Sequence, residues 1–296
     1  MSMILETFGL TKRFGATLAV DSVSMRIEQG EIYGFIGKNG AGKTTLMRTV
    51  LGLALPSSGT YRLFDGLNAR EAGRQIGSLV ETPGFFKNCT AMENLERFSR
   101  LYGADTDEVP GILEMVGLGS AGSKKVRQFS LGMQQRLGIG IAVIGHPAFM
   151  ILDEPVNGLD PAGILEIRNL ILELNRKEGT TFLISSHLVD ELSKIATRYG
   201  IIRNGRLVEE ITESELLYRC RGRLRLVVDD PYRASALITG QYPAVGIEIR
   251  HHALLLDAGP ELAPDLNRLL LAGNVSVSSI GTEDASVESY FVERIG

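Results

Sequence analysis

A glycine-rich segment between an apolar run and a helix-forming run could bind phosphate. Residues 37–44 fit the spacing GxxxxGK[ST], after the apolar run Ile32 to Ile36 and at the start of the helix-forming run Lys43 to Leu53. Glycines let the backbone wrap closely round phosphate, and the free amides of a helix N-terminus stabilise its charge. In this spacing Lys43 reaches the terminal phosphates and the Thr44 hydroxyl holds magnesium. The candidate nucleotide-binding residues here are Gly37, Lys38, Asn39, Gly40, Ala41, Gly42, Lys43, Thr44 and Thr45.

Two adjacent carboxylates could activate water against a phosphate. The apolar run Phe149 to Leu152 predicts a strand, and Asp153 and Glu154 follow it directly. Phosphoryl transfer needs one carboxylate in the magnesium shell and another that orients and deprotonates the attacking water. We assign the first role to Asp153 and the second to Glu154. A solvated strand end is the competing interpretation, and the phosphate-binding spacing upstream favours hydrolysis.

A third segment lies between these two and resembles the signature sequence of the ATP-binding-cassette (ABC) ATPases. Residues 129–136 read Phe-Ser-Leu-Gly-Met-Gln-Gln-Arg, where the family usually has Leu-Ser-Gly-Gly-Gln. Ser130 and Gly132 match, while Leu131 and Met133 depart from the common pattern. The resemblance implies that the Ser130 hydroxyl and the Gly132 amide meet the γ-phosphate of an ATP bound by a second copy. A bare helix start is the competing interpretation.

Further segments follow in the order that this family has. Residues 158–160, Gly-Leu-Asp, resemble its D-loop, and His187, after the apolar strand Phe182 to Ile184, resembles its switch histidine. The resemblance implies that Asp160 lies at the nucleotide and that His187 is a catalytic residue that senses the γ-phosphate. Phe14 matches the aromatic residue that stacks on adenine, although a loop Phe can also serve simple packing.

Glu81 is the most informative departure from the family. The segment from Gly77 to Pro83 aligns with the Q-loop, where a Gln normally links magnesium to the membrane partner. In having a carboxylate in this loop, the sequence resembles the exporters and immunity transporters for lantibiotics and related peptide antibiotics, such as bacitracin. The resemblance implies that Glu81 is a magnesium ligand. A solvated loop Glu is the competing interpretation.

The remaining pattern predicts an α/β chain in two parts. In the first, β-like runs such as Ala19 to Ile27 alternate with helices, which indicates parallel α/β architecture, and the resemblance implies a P-loop NTPase (ABC ATPase) core with antiparallel β and helical subdomains. The second predicts a small C-terminal α+β domain of βαββαβ order, resembling ferredoxin, and a last amphipathic helix from Ala285 to Arg294. We expect a nucleotide-binding domain over 1–216 and an accessory domain over 217–296.

Composition and charge limit the classes of partner. The 296 residues carry a formal net charge of -4, so the sequence offers no broad basic field for binding nucleic acid. The two cysteines indicate a reducing compartment. The sequence starts without a secretory signal, and no run approaches the roughly 20 apolar residues that cross a bilayer. We expect a peripheral protein at the cytoplasmic face of the cell membrane.

The resemblance implies an ATP-binding and ATP-hydrolysing subunit of an ABC transporter, with ATP and Mg²⁺ as cofactors. Two copies would form a homodimer that sandwiches ATP, and a separate integral membrane permease would carry a peptide antibiotic or drug. The alternative is a soluble ABC ATPase of DNA repair, chromosome maintenance or translation, but the coiled-coil insertion or tandem cassettes of that class are not visible in the sequence. A P-loop kinase would lack the signature and D-loop segments.

Overall fold

The computed structural model describes residues 2–81, 84–283 and 286–295. Thr82 and Pro83 of the predicted Q-loop segment lie outside these ranges, as does Ala285, where the last helix is predicted to begin. The chain divides into two compact units, the first comprising 2–213 together with 291–295 and the second 214–290. Within the described ranges, no helix is both long and apolar enough to span a membrane.

The strands of the first unit are β1 (Met3–Phe14), β2 (Thr17–Val23), β3 (Arg26–Glu28), β4 (Ile32–Ile36), β5 (Ser58–Leu63), β6 (Ile76–Leu79), β7 (Phe149–Asp153), β8 (Thr181–Ser186), β9 (Arg198–Arg203) and β10 (Arg206–Thr212). Its helices are α1 (Lys43–Val50), α2 (Ala69–Gly73), α3 (Ala91–Tyr102), α4 (Val109–Met115), α5 (Leu131–Val143), α6 (Pro161–Glu178) and α7 (Val189–Leu192). The elements that follow are α8 (Glu213–Arg219), β11 (Arg223–Val228), α9 (Pro231–Gln241), β12 (Ile247–Arg250), β13 (Ala253–Leu256), α10 (Ala263–Ala272), β14 (Val277–Glu283) and α11 (Val287–Ile295).

A six-stranded sheet in the order β10-β9-β4-β8-β7-β6 forms the centre of the first unit. Its strands are parallel except β10, which runs antiparallel to β9. Every residue of β4 and β8 is buried, as expected of parallel strands that are covered on both faces. Because β8 lies between β4 and β7, the carboxyl ends of these three strands meet at one edge of the sheet.

An antiparallel sheet is built round β1, which pairs with β2, β3 and β5. The predicted run Ala19 to Ile27 is two strands rather than one, because β2 pairs with the second half of β1 and β3 with the first half. Ser22 adopts the left-handed region, with φ of 53°, just before this change of partner. One apolar core joins this sheet to α1 and the central sheet through residues such as Leu10, Met47 and Phe149.

A helical layer of α3, α4 and α5 carries the predicted signature segment. Helix α3 begins at a capping box, in which Thr90 Oγ1 accepts from the Glu93 amide at 3.1 Å and the Glu93 carboxylate accepts from the Thr90 amide at 2.7 Å. A Cβ at Gly140 of α5 would lie only 3.4 Å from Ile112 of α4, so α5 packs closely on that helix. Helix α5 starts directly after Ser130.

The second unit has the βαββαβ order that the sequence predicts. Its sheet order is β12-β13-β11-β14, with every neighbouring pair antiparallel. Leu224 and Leu226 of β11 share a core with Ile238 of α9 and with Leu266 and Leu270 of α10. The two helices therefore cover one face of the sheet, as in a ferredoxin-like domain.

Helix α11 begins in the second unit and ends in the first. Phe291 is fully buried, and its ring centroid lies 5.4 Å from that of Tyr199 in β9. Burial raises the pKa of Tyr199 to about 12. Arg294 Nε donates to the Glu209 carboxylate of β10 at 2.5 Å. Residues 291–295 thus complete the packing of the first unit.

Candidate functional site

Three neighbouring strands place the candidate site at one edge of the central sheet. Strand β4 leads into the glycine-rich segment, β7 ends at Asp153 and β8 ends at Ser186. In the register of the sheet Asp153 lies opposite Ser185, and Ile36 lies opposite Ser186. Open α/β sheets bind their ligands beyond the carboxyl ends of parallel strands. The glycine-rich segment, the two carboxylates and His187 share this edge.

The glycine-rich segment can follow its path only without side chains at two positions. Gly42 has a φ of 109°, and a Cβ there would lie 2.2 Å from the carbonyl oxygen of Ala19. A Cβ at Gly37 would lie 2.6 Å from the carbonyl oxygen of Ile202. Since Gly42 precedes α1 and has no side chain, it leaves the first amides of α1 uncapped. Such amides are the donors that bind phosphate at a helix N-terminus.

The Lys43 ammonium is buried at the centre of the site. The residue is 5% exposed, and Nζ donates to the carbonyl oxygens of Gly37 at 2.7 Å and Lys38 at 3.3 Å. Nζ also lies 3.2 Å from Oε1 of Glu154, as an ion pair. Because a buried ammonium is costly unless it is paired, these oxygens hold Lys43 where the glycine-rich segment surrounds it.

Hydroxyl groups hold Asp153. Thr44 Oγ1 donates to Oδ2 of Asp153 at 2.6 Å, and the Ser185 hydroxyl donates to Oδ1. Among the described residues, no cluster of three or more His, Cys, Asp or Glu side chains could hold a metal ion. Mg²⁺ does not require such a cluster, since it is commonly bound by one or two protein oxygens together with phosphates and waters. Thr44 and Asp153 fit that requirement.

Glu154 contacts both the buried ammonium and the predicted switch histidine. Its φ of 49° lies in the left-handed region, which is uncommon for residues other than glycine. The backbone amide of Glu154 donates to the Ser185 hydroxyl at 3.0 Å, and Oε2 lies 2.7 Å from Nδ1 of His187. Such backbone strain is concentrated at functional sites. The carboxylate is fixed between Lys43 on one side and the imidazole on the other.

A cavity of about 610 Å³ adjoins the glycine-rich segment and brings Phe14 together with Thr44 and Thr45. Phe14 is 55% exposed, so its ring does not serve the core. Lys12 Nζ lies 4.9 Å from the centroid of this ring and donates to the carbonyl oxygen of Leu55 at 2.7 Å. An exposed aromatic face beside a phosphate-binding segment is available for stacking on a nucleobase.

Glu81 lines the same cavity and is paired with a cation. Its carboxylate accepts from Nη1 of Arg48 at 3.0 Å, and both residues line the cavity with Thr44 and Thr45. Glu81 also has a left-handed backbone, with φ of 64°. The structure therefore places Glu81 beside the candidate nucleotide site and gives it a specific partner.

The predicted signature and D-loop segments lie beside each other, and each caps a helix. Ser130 Oγ caps α5 by accepting from the Met133 amide at 3.3 Å, and Asp160 Oδ1 caps α6 by accepting from the Gly163 amide at 3.0 Å. A Cβ at Gly132 would lie 3.3 Å from Leu159 of the D-loop segment. In the described part of the chain, no hydrogen bond joins Ser130 to the glycine-rich segment.

Three residues of the site are missing from the sequence interpretation: Ser185, Arg48 and Lys12. Ser185 could have been found by extending the strand-end argument to β8, since its hydroxyl follows an apolar run as Asp153 does. Arg48 follows Thr44 by four positions on α1, the spacing that puts two side chains on one helix face. Lys12 gives no sequence signal beyond its place two residues before Phe14.

Comparison with known proteins identifies the family. The ABC transporter family model matches residues 20–157. The bacitracin transport ATP-binding protein BcrA of Bacillus licheniformis is 40% identical over 302 residues, covering 100% of this chain and 98% of the relative. The lantibiotic transport ATP-binding protein SrtF of Streptococcus pyogenes is 41% identical over 208 residues, covering 70% of this chain and 90% of the relative.

Among solved structures, the ADP conformation of MJ1267, an ATP-binding cassette of an ABC transporter, superposes with a TM-score of 0.64 at 27% identity. The match covers 72% of this chain and 92% of that one. The fold, the glycine-rich segment and the full-length similarity to transport ATP-binding proteins agree. This chain belongs to the ABC transporter family, as an ATP-binding subunit that hydrolyses ATP.

Proposed function

We propose that this subunit hydrolyses magnesium-bound ATP to drive export of, or immunity to, a peptide antibiotic or drug through a separate membrane permease. The observation that supports the cargo class is the 40% identity to a bacitracin transport ATP-binding protein across the whole chain, including the second unit. The relatives reported above are transport proteins, so the comparisons give no support to a soluble ATPase of DNA repair, chromosome maintenance or translation.

In this proposal the glycine-rich segment binds the phosphates. The amides at the start of α1 donate to phosphate oxygens, and Lys43, already held by two carbonyl oxygens, gives the positive charge nearest to them. Residues Gly37 to Thr45 form the cradle, and Phe14 stacks on the adenine. The exposure of Phe14 beside Thr44 and Thr45 in one cavity supports this placement.

Thr44, Asp153 and Glu81 are the residues that would hold Mg²⁺. When bound, the ion would neutralise charge on the phosphates during transfer. The hydrogen bond from Thr44 to Asp153 supports the assignment, because it brings a hydroxyl and a carboxylate together beside the phosphate cradle. The Ser185 hydroxyl fixes the other oxygen of Asp153 and so orients the carboxylate.

Glu154 is the general base for the attacking water, and His187 positions it. The hydrogen bond between His187 and Glu154 at 2.7 Å fixes the direction of the carboxylate. The same carboxylate forms an ion pair with Lys43, a residue of the glycine-rich segment that we propose binds the phosphates. A water between Glu154 and the terminal phosphate would lose its proton to the carboxylate as it attacks.

We further propose that two copies close over two ATP molecules. Ser130 and Gly132 of one copy, with Asp160, would then contact the γ-phosphate held by the other. This proposal is supported by the exposed position of Ser130, whose hydroxyl accepts from the start of its own helix and, among the described residues, from no part of the glycine-rich segment. It gives the start of α5, whose hydroxyl and amides could bind a phosphate, a phosphate to bind from the second copy.

A cavity of about 1280 Å³ is the surface that we assign to the permease. Its lining includes Tyr102 and Ile144 of the helical layer, Leu53 from the segment after α1, and Ser78 of β6. Leu53 and Tyr102 are more than half exposed, so a cytoplasmic helix of the permease could pack its apolar side against these two side chains. Ser78 lies three residues before Glu81, and through it the permease could influence the nucleotide site.

We also infer that the second unit is accessory, because every nucleotide-site residue assigned above lies in the first. A chain truncated after Arg219 should retain ATP affinity and lose dimer stability or transport. Since truncation also removes the buried Phe291, the full-length Phe291→Ala variant separates lost packing from a lost domain. If the truncated chain folds by circular dichroism and cannot bind ATP while Phe291→Ala can, the accessory assignment fails.

The transport proposal is tested by resistance. The chain would be produced in a bacitracin-sensitive bacterium together with its membrane permease, and the minimal inhibitory concentration of bacitracin measured. We expect resistance with the unaltered pair and none with a Glu154→Gln subunit present at equal abundance. Resistance that survives Glu154→Gln, or susceptibility with both subunits present and active as an ATPase, contradicts the proposed cargo or coupling.

A further inference from the structure

The carboxylates of the nucleotide site differ in how their charge is balanced. Glu154 is paired with Lys43 at 3.2 Å, and Glu81 is paired with Arg48 at 3.0 Å. Asp153 is bound by the hydroxyls of Thr44 and Ser185, which carry no charge. Two of the three carboxylates thus have a cationic side chain as partner, whereas both oxygens of Asp153 are bound by neutral hydroxyls.

The Arg48–Glu81 pair is placed by backbone structure on both sides. Arg48 lies one helical turn after Thr44 on α1, so its side chain projects from the helix face that carries the Thr44 hydroxyl. Glu81 adopts a left-handed backbone just after β6, a conformation that costs free energy in a residue other than glycine. The pair lines the cavity that also contains Thr44, Thr45 and Phe14.

We propose that Arg48 is a positioning residue for Glu81: it neutralises the carboxylate that stands where the family has Gln, and so sets the balance between ATP and divalent-cation affinity. This inference rests on the proposed nucleotide site. A Gln needs no counter-charge, whereas an unpaired carboxylate would repel the triphosphate that binds beside it. The arginine makes the acidic residue compatible with the site.

The proposal has a directional consequence that a structural role would not share. Without Arg48, Glu81 adds an uncompensated negative charge beside the phosphates and beside Asp153. Affinity for ATP in the absence of metal should fall, because the triphosphate is repelled. Affinity of the ATP complex for a divalent cation should rise, because the same carboxylate attracts it. Damage to the loop would weaken both.

The experiment measures the two affinities directly in full-length protein carrying Glu154→Gln, which removes turnover. A fluorescent ATP analogue is titrated in EDTA, and Mn²⁺ binding to the ATP complex is followed by electron paramagnetic resonance. For Arg48→Met we expect about a two- to fivefold loss of metal-free ATP affinity and a similar gain in Mn²⁺ affinity, the range of exposed ion pairs. Arg48→Lys keeps the charge and should stay near the parent. Arg100→Met, which removes an exposed arginine of α3, is the matched control.

A second background separates the remaining explanations. In a chain that also carries Glu81→Gln, Arg48→Met should no longer raise Mn²⁺ affinity, because there is no carboxylate to release. If Arg48→Met weakens both ligands, its role is only structural, and if the Mn²⁺ gain persists with Glu81→Gln, Arg48 acts without Glu81. Either result overturns the proposal. If the parent binds neither ATP nor Mn²⁺ with ATP, the proposed nucleotide site itself is wrong.

Discussion

The phosphate-binding side of the site and the signature segment differ in how far one chain completes them. On the phosphate side, Lys43, Glu154 and His187 form a continuous chain of contacts, and Thr44 and Asp153 form another. At the signature, Ser130 bonds only to the start of its own helix among the described contacts. The first region is built for chemistry in isolation, and the second presents its groups outward.

This difference suggests that binding and hydrolysis are separable. Under the proposed function, a single chain would hold ATP and orient a base, while closure of the site would require the signature segment of a second copy. The predictions below test each side of this division, beginning with the largest expected effect.

Glu154→Gln should abolish most turnover and leave ATP binding intact, since it removes the base but keeps a side chain of the same size beside Lys43 and His187. General-base catalysis contributes about a hundredfold to ten-thousandfold, so we expect the ATPase rate to fall by that factor. Phosphate release measures the rate, and nucleotide titration the affinity. Glu173→Gln, at an exposed position of α6, is the control. An unchanged rate for Glu154→Gln rules out its role as base.

Lys43→Ala should weaken ATP binding by removing a contact to the phosphates, while the proposed contact of Phe14 with the adenine is kept. The loss of a charged hydrogen-bond donor costs about 1.5–3 kcal/mol, which corresponds to roughly a tenfold to 150-fold weaker affinity. Equilibrium titration checks this, and circular dichroism shows whether the buried site still folds. A folded Lys43→Ala variant with unaltered affinity would mean that the ammonium does not reach the nucleotide.

Ser130→Asp should leave ATP binding to one chain unchanged and prevent ATP-driven pairing. Asp is as good a helix cap as Ser, so α5 should keep its start, but a carboxylate would repel a γ-phosphate brought by a second copy. Light scattering with ATP and magnesium in a Glu154→Gln background measures the pairing. Ser130→Asn, a neutral cap, is the matched control and should dimerise. Equal dimerisation of all three chains would break the comparison drawn above.

The smallest effect concerns the attachment of the helical layer to the core. The His146 ring lies 3.2 Å from the Glu178 carboxylate at the end of α6 and 3.3 Å from the Glu108 carboxylate just before α4. The hydrogen bond to Glu178 is the main cause of a raised pKa of His146, and Glu108 adds to it. Its stabilising contribution should therefore be complete below the unfolded value of about 6.5 and be lost as pH rises through the folded pKa. Because His146 is half exposed, we expect only a few tenths of a kcal/mol. Urea unfolding from pH 5.5 to 8 should show this slope in the parent and not in His146→Gln.

The sequence predicts the parts of this molecule that depend on local spacing. Residues 37–44, and the two carboxylates Asp153 and Glu154 at the end of an apolar run, carry their chemistry in the order of the chain. The βαββαβ order of the second unit follows from alternating patterns. These features need no knowledge of distant contacts.

The features that the sequence does not predict depend on which strands become neighbours. Ser185 reaches Asp153 because β8 pairs with β7 in that register, and Arg48 meets Glu81 because the chain after β6 comes within hydrogen-bonding distance of α1. The run Ala19 to Ile27 forms two strands because β2 pairs with the second half of β1 and β3 pairs with the first half. Hydrophobic pattern also does not tell which unit receives the side chain of Phe291.

The packing of Phe291 against Tyr199 has a consequence for synthesis on the ribosome. Domains generally fold as units as the chain emerges, N-terminal first, but the core of the first unit has a position that is filled only after all of residues 214–290 have been translated. Until then the surface round Tyr199 is exposed on the nascent chain. A chain that ends within the second unit would therefore keep an open apolar site in its first unit, and transiently exposed apolar surface of this kind is what makes incompletely folded chains prone to aggregate.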